Sequence, residues 1–510
     1  MEFTTGKIAL SRRRCLFEST LEQPIDSDVT LPEYFPDLVR VLKCTLTPRI
    51  HAVQNAADRV SCEGSAQLCV LYLCEEGGMR CFEQSIPFSV HADCPGAQNG
   101  CAGARAKCAY VNCRVASPRR MDIHGSITVA FHIYGKEEQA LLCDCSGGGV
   151  QMRKQHVAAS TLAGCTERIF SLGETLELGS AKPSIAQLVR SEAVALLEDV
   201  KLVTGKALIK GEVVLRTLYI PDGDGKRLER MEHSMPISQI VEIEGAQEDC
   251  TADTALTVCG VEVAAKTDAS GALRLLDANV SVSAQIALYT DFETDVLLDA
   301  YSTQYETRLQ QQQVCFQNLC DRVSDTCLCR GTLDTTGVGI AEVLDMHCKD
   351  LDCTSCVAEG ELRVTGKVTV GLLYIGRDGQ IGYSERSFDI AYHHPVAAGS
   401  TDMTCETHIA VTGTSFVLGA EDQVDARVEL DVSALVFSEA SIQILSEVSV
   451  DEEQKKRRTA AALTIYFAQA GESVWEIARR YNTTAEAIRR ENDLQNEVLD
   501  AKCKLLIPSV

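Results

Sequence analysis

The sequence has little positive charge and no long hydrophobic run. Its 510 residues carry 48 Lys and Arg against 72 Asp and Glu, which leaves a net charge of −24. Binding to nucleic-acid phosphates requires a basic face, so this balance argues against a nucleic-acid-binding protein. Since no stretch of 18 apolar residues occurs, we predict no membrane span.

The N-terminal stretch also lacks the pattern of an export signal. Its basic cluster, Arg12–Arg14, follows the short apolar stretch instead of preceding it. We therefore expect a cytoplasmic protein, in a reducing compartment where the 24 cysteines remain free thiols and pack as small apolar side chains.

One group of cysteines has a spacing that also occurs in metal-binding loops. Cys348, Cys353 and Cys356 follow His347 within ten residues. The other parts of the chain that resemble this region carry no matching group. We therefore predict structural cysteines, no metal and no cofactor.

Motifs of common enzyme classes are missing from the sequence. We find no phosphate-binding loop, no Gly-x-Ser-x-Gly turn and no His-Glu-x-x-His helix, and the 10 histidines are scattered. We therefore predict that the protein is not an enzyme.

A nine-residue pattern occurs three times and organises the chain. Gly opens each copy, and Leu-Tyr follows seven and eight positions later, in Gly64–Tyr72, Gly211–Tyr219 and Gly366–Tyr374. A turn rich in Gly and acidic residues and a second apolar run follow each copy, which predicts three β-hairpins. The copies start 147 and 155 residues apart (211−64 and 366−211). This period indicates three tandem domains, at residues 1–155, 156–312 and 313–450.

The remaining patterns predict that each of the three units is a β-sandwich preceded by a short helix. Alternating apolar and polar residues, as in Val428–Val432, indicate strands with one packed face and one solvated face. Apolar residues at helical spacing predict a helix beginning after Asp37, and similar helices within residues 184–190 and 339–344. We also expect a turn at Ile25–Asp28, and connectors at Gly147–Gly149 and Gln310–Gln313.

The C-terminal part has a different pattern. The charged run over residues 451–462 contains both signs and indicates a solvated linker. Residues 463–510 then predict a small β-α-α-β domain. Ser473 and Glu476 are spaced as a capping box for the first helix, Asn482 suits its end, and Thr484 caps the second helix.

This tail resembles a LysM domain, on the evidence of the Gly471–Ala478 stretch, Arg480-Tyr481, Asn492, and the closing Leu505–Pro508. The resemblance implies a shallow groove for glycans that contain N-acetylglucosamine. The residues that would line it are Gly471, Glu472, Ser473 and Val474 on one side and Asn492, Asp493 and Leu494 on the other. Asn492 is equally compatible with a purely structural role as a helix cap. The usual Pro-Gly-Gln before the last strand is replaced by Ala501-Lys502-Cys503.

The three hairpin units resemble SPOCS domains of spore-forming Firmicutes, on the evidence of Leu31–Asp37, the repeated Gly…Leu-Tyr pattern and Leu298–Thr303. The resemblance is clearest in the second and third units. Tandem SPOCS units followed by LysM are similar to the SipL-like spore coat morphogenesis proteins. This implies a non-enzymatic protein of the mother-cell cytoplasm, located at the forespore surface. Its tail would bind a coat morphogenetic ATPase similar to stage IV sporulation protein A. The alternative function is binding of peptidoglycan in the cell wall or spore cortex through the LysM groove.

Overall fold

The computed structural model describes residues 3–56, 58–97, 100–223, 227–333, 339–397, 402–419, 423–456 and 463–509. Within these ranges the chain forms twenty strands and two helices. Their bounds are β1 (Thr4–Thr30), β2 (Leu38–Ala56), β3 (Arg59–Cys74), β4 (Met79–Asp93), β5 (Cys101–Ser117), β6 (Arg120–Ser146), β7 (Val150–Glu177), β8 (Ile185–Val203), β9 (Lys206–Pro221), β10 (Glu229–Glu242), β11 (Thr251–Thr267), β12 (Leu273–Ser302), β13 (Tyr305–Leu333), β14 (Ile340–Ala358), β15 (Glu361–Gly376), β16 (Ile381–Pro395), β17 (Met403–Leu418), β18 (Val424–Lys455), β19 (Leu463–Ala468), α1 (Val474–Arg480), α2 (Ala485–Glu491) and β20 (Cys503–Pro508). The prediction of a mostly β chain with a β-α-α-β tail is confirmed.

Neither helix of the described part of the chain is long and apolar enough to cross a membrane.

The strands before the tail form three units with the same topology. Each unit contains two antiparallel three-stranded sheets, ordered β1-β6-β5 and β2-β3-β4 in the first, β7-β12-β11 and β8-β9-β10 in the second, and β13-β18-β17 and β14-β15-β16 in the third. The repeated pattern lies in the central strands β3, β9 and β15, which pair with β4, β10 and β16 as the predicted hairpins. Part of the turn predicted in the second hairpin, residues 224 and 225, lies outside the described residues.

The glycine that opens each copy of the pattern is explained by a close approach of backbone. A Cβ at Gly64, Gly211 or Gly366 would lie 2.2, 2.2 and 2.1 Å from a carbonyl oxygen of the neighbouring strand. No side chain fits at that distance, so glycine is required in all three copies.

The Leu-Tyr pair that closes each copy points to two different cores. In the first unit Tyr72 packs between the two sheets, and its hydroxyl donates to the Pro36 carbonyl at 3.2 Å. Tyr219 does the same with Pro183 at 2.9 Å. The preceding leucines face the other way, because neighbouring residues of a strand lie on opposite faces. Leu71, Leu218 and Leu373 meet in one cluster between the three units.

Two further clusters join the units near the ends of the long strands. Equivalent positions of β6, β12 and β18 supply their members, with contributions from β1, β7 and β13: Leu10, Leu141, Val157, Ala159, Val296, Val314, Phe316 and Ile444 in one, and Leu142, Cys145, Leu297, Ala300, Leu445 and Val448 in the other. The three units therefore share apolar cores and pack against one another as a single body.

The three helices predicted at the start of the units are wrong. The residues concerned begin the strands β2, β8 and β14 instead. Each of these strands has three register shifts, and the first two lie about three residues apart, as at Leu38/Arg40 and Val41/Lys43 in β2. A bulge adds one residue to a strand and shifts the alternation of faces. Two closely spaced bulges therefore produce an apolar spacing that resembles a helix. Asp37 is paired with Arg119 and caps no helix.

Two other local predictions are also wrong, and one is confirmed. The expected turn at Ile25–Asp28 lies inside the continuous strand β1, and Gln310–Gln313 lie inside β13. Gly147–Gly149 do form a turn, with all three glycines at positive φ.

The predicted domain limits after residues 155, 312 and 450 fall within β7, β13 and β18, and the domain division stays a prediction. Of the charged run, residues 451–455 continue β18, and 457–462 lie outside the described residues.

Ion pairs reinforce the junctions between units. Arg190 of the second unit donates to Asp345 of the third at 2.7 Å, and the Asp345 side chain is only 1% exposed. Burial by itself would raise the pKa of Asp345, but the Arg190 charge and the His347 hydrogen bond outweigh it and hold that pKa at about 2. Between the first and second units, His132 and Glu167 lie 2.8 Å apart.

We predict that Arg190→Met destabilises the assembly strongly. The substitution keeps an apolar stem but leaves the Asp345 carboxylate buried without its cation, which costs about 3–5 kcal/mol. Urea denaturation monitored by circular dichroism measures the loss. The matched control is Arg59→Met, which breaks an exposed pair with Asp93 and is expected to cost less than about 0.5 kcal/mol. Equal losses in the two variants would contradict the prediction.

The depressed pKa of Asp345 also predicts an acid-sensitive part of the stability. Its contribution is complete above the unfolded-state pKa of about 3.9 and is lost as the pH falls through about 2. We expect the free energy of unfolding of Asp345→Asn to fall less steeply than that of the parent protein in this window. Denaturation curves at a series of pH values test this, and parallel curves for the two proteins would exclude it.

Candidate functional site

The tail folds around a small core that Tyr301 of β12 also joins. Its main members come from both helices and β20: Val474, Ile477, Ala478, Ile488, Leu505 and Ile507. β19 and β20 pair antiparallel, with Leu463 opposite Pro508. The two helices are therefore held against one face of a two-stranded sheet.

The predicted helix ends are mostly confirmed. The Ser473 hydroxyl caps α1, but it accepts from the Trp475 amide at 3.2 Å and not from the Glu476 amide as expected. Thr484 caps α2 by accepting from the Ala487 amide at 3.0 Å. Asn482 has a φ of 55°, the left-handed conformation predicted for the end of α1.

The first side of the predicted groove, Gly471–Val474, is paired with residues 497–499. The Gly471 amide donates to Leu499 at 2.7 Å, and the Val474 amide donates to Glu497 at 2.8 Å. Ser473 forms a bridge with Val498. Val498 is 50% exposed beside Ser473, and the sequence did not point to it.

The Glu472 side chain stabilises the loop in which it lies. Its carboxylate accepts from the Tyr466 hydroxyl at 2.7 Å and from the Gln469 amide at 2.8 Å. These two hydrogen bonds lower the pKa of Glu472. The carboxylate is thus engaged inside the domain, where it orients the groove backbone.

The second side of the predicted groove, Asn492–Leu494, closes the second helix. The Asn492 side chain donates to Ile488 and Leu506 and accepts from the Leu506 amide, at 2.7–2.8 Å. Leu494 donates its amide to Arg489, and Asp493 adopts a left-handed φ of 52°. Of the two roles considered for Asn492, the structure supports the structural cap. Asp493 is the most exposed of the three.

The tail is attached to the second unit through the face of α1. The Trp475 indole donates to Asp299 at 2.8 Å, and Arg479 donates to the same carboxylate at 2.9 Å. The Tyr301 ring packs edge-on against Trp475, and its hydroxyl donates to the Thr483 carbonyl at 2.8 Å. The Trp475 side chain is only 7% exposed as a result.

This contact was missed by sequence reasoning, although a signal was present. Cys145, Ala300 and Val448 are equivalent residues of the three units, and they belong to one shared cluster. The residue after each is Ser146, Tyr301 and Ser449 respectively. The second unit alone therefore offers an aromatic side chain at this position, and the tail packs on it.

The opposite face of the tail is exposed and apolar. β19 directs alternate residues away from the core, and Leu463, Ile465 and Phe467 are 43%, 53% and 66% exposed. Ile465 lies opposite Leu506, and Phe467 lies opposite Lys504. We call Leu463, Ile465, Phe467 and Leu506 the outer sheet face.

Comparison with known protein families identifies both kinds of domain. Residues 37–116 and 184–266 match the family described as "SipL, SPOCS domain", and residues 468–508 match the LysM domain family. The matched SPOCS segments lie in the first and second units, and not in the second and third, where the resemblance looked clearest. The third unit resembles these two units, because it has the same strand order and carries Gly366, Leu373 and Tyr374 of the repeated pattern. No curated protein and no solved structure matches the chain.

We predict that Asp299→Ala releases the tail without unfolding it. The substitution removes the acceptor of both Trp475 and Arg479, and hydrogen bonds to charged groups contribute roughly 1.5–3 kcal/mol. Trp475 is the only tryptophan of the chain, so its fluorescence reports on this contact. We expect the emission to shift to longer wavelength while the circular dichroism spectrum is unchanged.

The matched control is Asp144→Ala, which alters the corresponding position of the first unit, where the carboxylate pairs with Lys154. It should leave the tryptophan emission unchanged. An unshifted emission in Asp299→Ala would show that the tail does not depend on this contact.

Proposed function

We propose that this sporulation-related protein, with SPOCS segments and a LysM tail, is a non-enzymatic assembly protein of the spore coat. In this proposal the three β-sandwich-like units form a scaffold. The LysM tail binds a coat morphogenetic protein similar to stage IV sporulation protein A. The protein acts in the mother-cell cytoplasm, at the forespore surface. The family matches support the sporulation context and the presence of LysM.

The attachment of the tail to the second unit is the observation that best supports the adaptor role. Trp475 and Arg479 attach α1 to Asp299 of the second unit. The tail is thereby held in a defined orientation on a large rigid body. An adaptor with a fixed orientation loses less conformational freedom when it binds than one on a flexible tether.

The outer sheet face supports a protein partner. It presents Ile465 and Phe467 to solvent on the side of the tail that points away from α1. Exposed apolar patches with a central aromatic side chain are typical of protein–protein contacts. We therefore assign the coat protein contact to this face, with Lys504 at its margin.

The buried charged groups support a scaffold and not an active site. Arg13, Asp253 and Glu406 come from the first, second and third units, and the Arg13 guanidinium faces both carboxylates. The two carboxylates thus share one cation that comes from another unit, and His408 of the third unit also lies 3.2 Å from Asp253. Such pairing serves to join the units.

The alternative function is binding of peptidoglycan through the LysM groove. The LysM family match over residues 468–508 favours it. The groove residues in this case are Gly471, Glu472, Ser473 and Val474, with Asn492, Asp493 and Leu494. The exposed Val498, which pairs with Ser473, is added to them. The two functions use different surfaces of the tail and can be separated by substitution.

We predict that Phe467→Ser weakens binding to the purified coat morphogenetic ATPase by roughly thirtyfold, or about 2 kcal/mol, because an aromatic anchor of the contact is lost. A chain that ends at residue 458 should not bind it. Binding of the full-length variants to surface-immobilised ATPase measures these affinities. Phe467 is 66% exposed, so its replacement should not unfold the tail.

The control is Val498→Asp, which alters the groove and should leave ATPase binding unchanged. Sedimentation with purified peptidoglycan tests the alternative. Glycan binding that is lost in Val498→Asp and kept in Phe467→Ser, without any affinity for the ATPase, would replace the proposed function by the alternative.

A further inference from the structure

Two thiols and a carboxylate converge on one face of the first hairpin. Cys81 and Glu83 lie two residues apart on β4, and Cys69 lies directly opposite Glu83 on β3. Because side chains two residues apart share a face of a strand, all three project to the same side. Their ligand atoms lie within 4.8 Å of one another, and they are the only His, Cys, Asp or Glu residues of the described chain grouped in this way.

This cluster lies at the junction with the second unit. Both thiols face the Val189 carbonyl oxygen of β8, with Cys69 Sγ at 3.4 Å and Cys81 Sγ at 3.8 Å. The Gln187 side chain holds the Cys81 backbone by accepting from its amide at 2.9 Å and donating to its carbonyl. The strand that carries Cys81 is therefore fixed against its neighbour.

The internal repeat shows what the same place contains in the other two units. Glu83, Glu232 and Glu385 are equivalent, since they lie opposite Cys69, Arg216 and Gly371 of the repeated pattern. A carboxylate is thus present in all three hairpins, whereas the residues around it differ.

The equivalent carboxylates of the other two units are each paired with a cation. Glu232 lies 2.8 Å from Arg216, which stands in the place of Cys69. Glu385 lies 2.8 Å from Lys349 and also binds Lys43. Among the described residues, no Lys or Arg lies within ion-pair distance of Glu83. The charge of Arg49 acts on Glu83 only from beyond ion-pair distance, so the first unit has two thiols where the others have directly paired cations.

We propose that Cys69, Cys81 and Glu83 bind a zinc ion, which supplies the positive charge that Arg216 and the two lysines supply in the other units. Two thiolates and one carboxylate are a ligand set that zinc accepts, with a fourth position open to water or to the Val189 carbonyl. In a tetrahedral site with Zn–S bonds of about 2.3 Å, the sulfurs are roughly 3.8 Å apart. The sulfurs of Cys69 and Cys81 are 2.8 Å apart, so small side-chain rotations bring them to that spacing.

Binding of zinc at this site requires the loss of the thiol protons. The hydrogen bond with Cys69 and burial raise the pKa of Cys81 well above its ordinary value. The metal must therefore displace protons, and its affinity falls as the pH is lowered. The site joins β3 and β4 to the second unit, which gives the ion a structural role.

The cysteines first considered from the sequence do not form such a site. Cys348, Cys353 and Cys356 are spread along β14, and His347 is bound to Asp345 and Arg190. Cys101 and Cys165 form another close thiol pair, with their sulfurs 3.8 Å apart. Their distance resembles that of a zinc site, but no third ligand atom from the described residues completes the group. This pair is therefore the appropriate control.

The test uses the full-length protein kept reduced with a phosphine, so that no disulfide forms. Equilibrium dialysis against zinc, followed by elemental analysis, counts the ions bound. Cobalt(II) then replaces zinc as a spectroscopic probe, because a tetrahedral cobalt–thiolate site has intense visible bands and a near-ultraviolet charge-transfer band. The variants are Cys69→Ser, Cys81→Ser and Glu83→Gln, and the control is the double variant Cys101→Ser, Cys165→Ser.

We expect one zinc ion per chain and a tetrahedral cobalt–thiolate spectrum, both kept in the control. Cys69→Ser and Cys81→Ser should lose the spectrum, and Glu83→Gln should weaken zinc binding by on the order of tenfold or more while keeping the sulfur-to-metal band. Glu83→Gln alters the most exposed ligand, so it tests the site even where a cysteine variant folds poorly. Absence of the tetrahedral spectrum in the parent protein, or an equal loss of cobalt in the control, would overturn the proposal.

Discussion

The apolar contact among Leu71, Leu218 and Leu373 is the constraint on which the rest of the structure depends. A three-stranded sheet has two faces, and packing against the second sheet of the same unit buries only one of them. The opposite face carries the leucine of each Leu-Tyr pair, and burying that face is favourable in proportion to its apolar area. The three units cover these faces for one another. Their long strands extend the same arrangement, since equivalent residues of all three units meet in two further clusters.

This mutual packing determines where charge can be buried. The chain is strongly acidic overall, yet its unit junctions contain Arg13, Arg190 and Lys43, each facing carboxylates of another unit. A buried carboxylate without a cation is unfavourable, which explains why these three basic residues lie where units meet. The Glu83 carboxylate of the first hairpin is instead exposed, with two thiols beside it in place of a directly paired cation. The proposed zinc ion would supply positive charge at this place.

The tail depends on the body in the same way that the units depend on one another. α1 directs Trp475 outward from the small core of the tail, and Tyr301 and Asp299 of the second unit cover it. Since only the second unit has an aromatic residue at that position, only this unit offers the complementary surface. With α1 covered, the apolar residues of β19 remain exposed, and the proposed partner contact lies there.

Elements whose signals are local could be predicted from the sequence. The Gly…Leu-Tyr pattern predicted three hairpins because a turn rich in Gly and acidic residues and a second apolar run follow each copy. Thr484 and Asn482 predicted helix ends because capping acts within a few residues. The SPOCS and LysM resemblances rest on such local motifs as well. Tertiary structure decided everything that depends on which distant residues meet. The bulges of β2, β8 and β14 imitated a helix because periodicity shows spacing and not pairing. Several contacts join residues that lie apart in the sequence. They are the hydrogen bonds of Asn492 to Leu506, the pairing of Ser473 with Val498, and the cluster of Cys69, Cys81 and Glu83. Only the fold brings them within bonding distance.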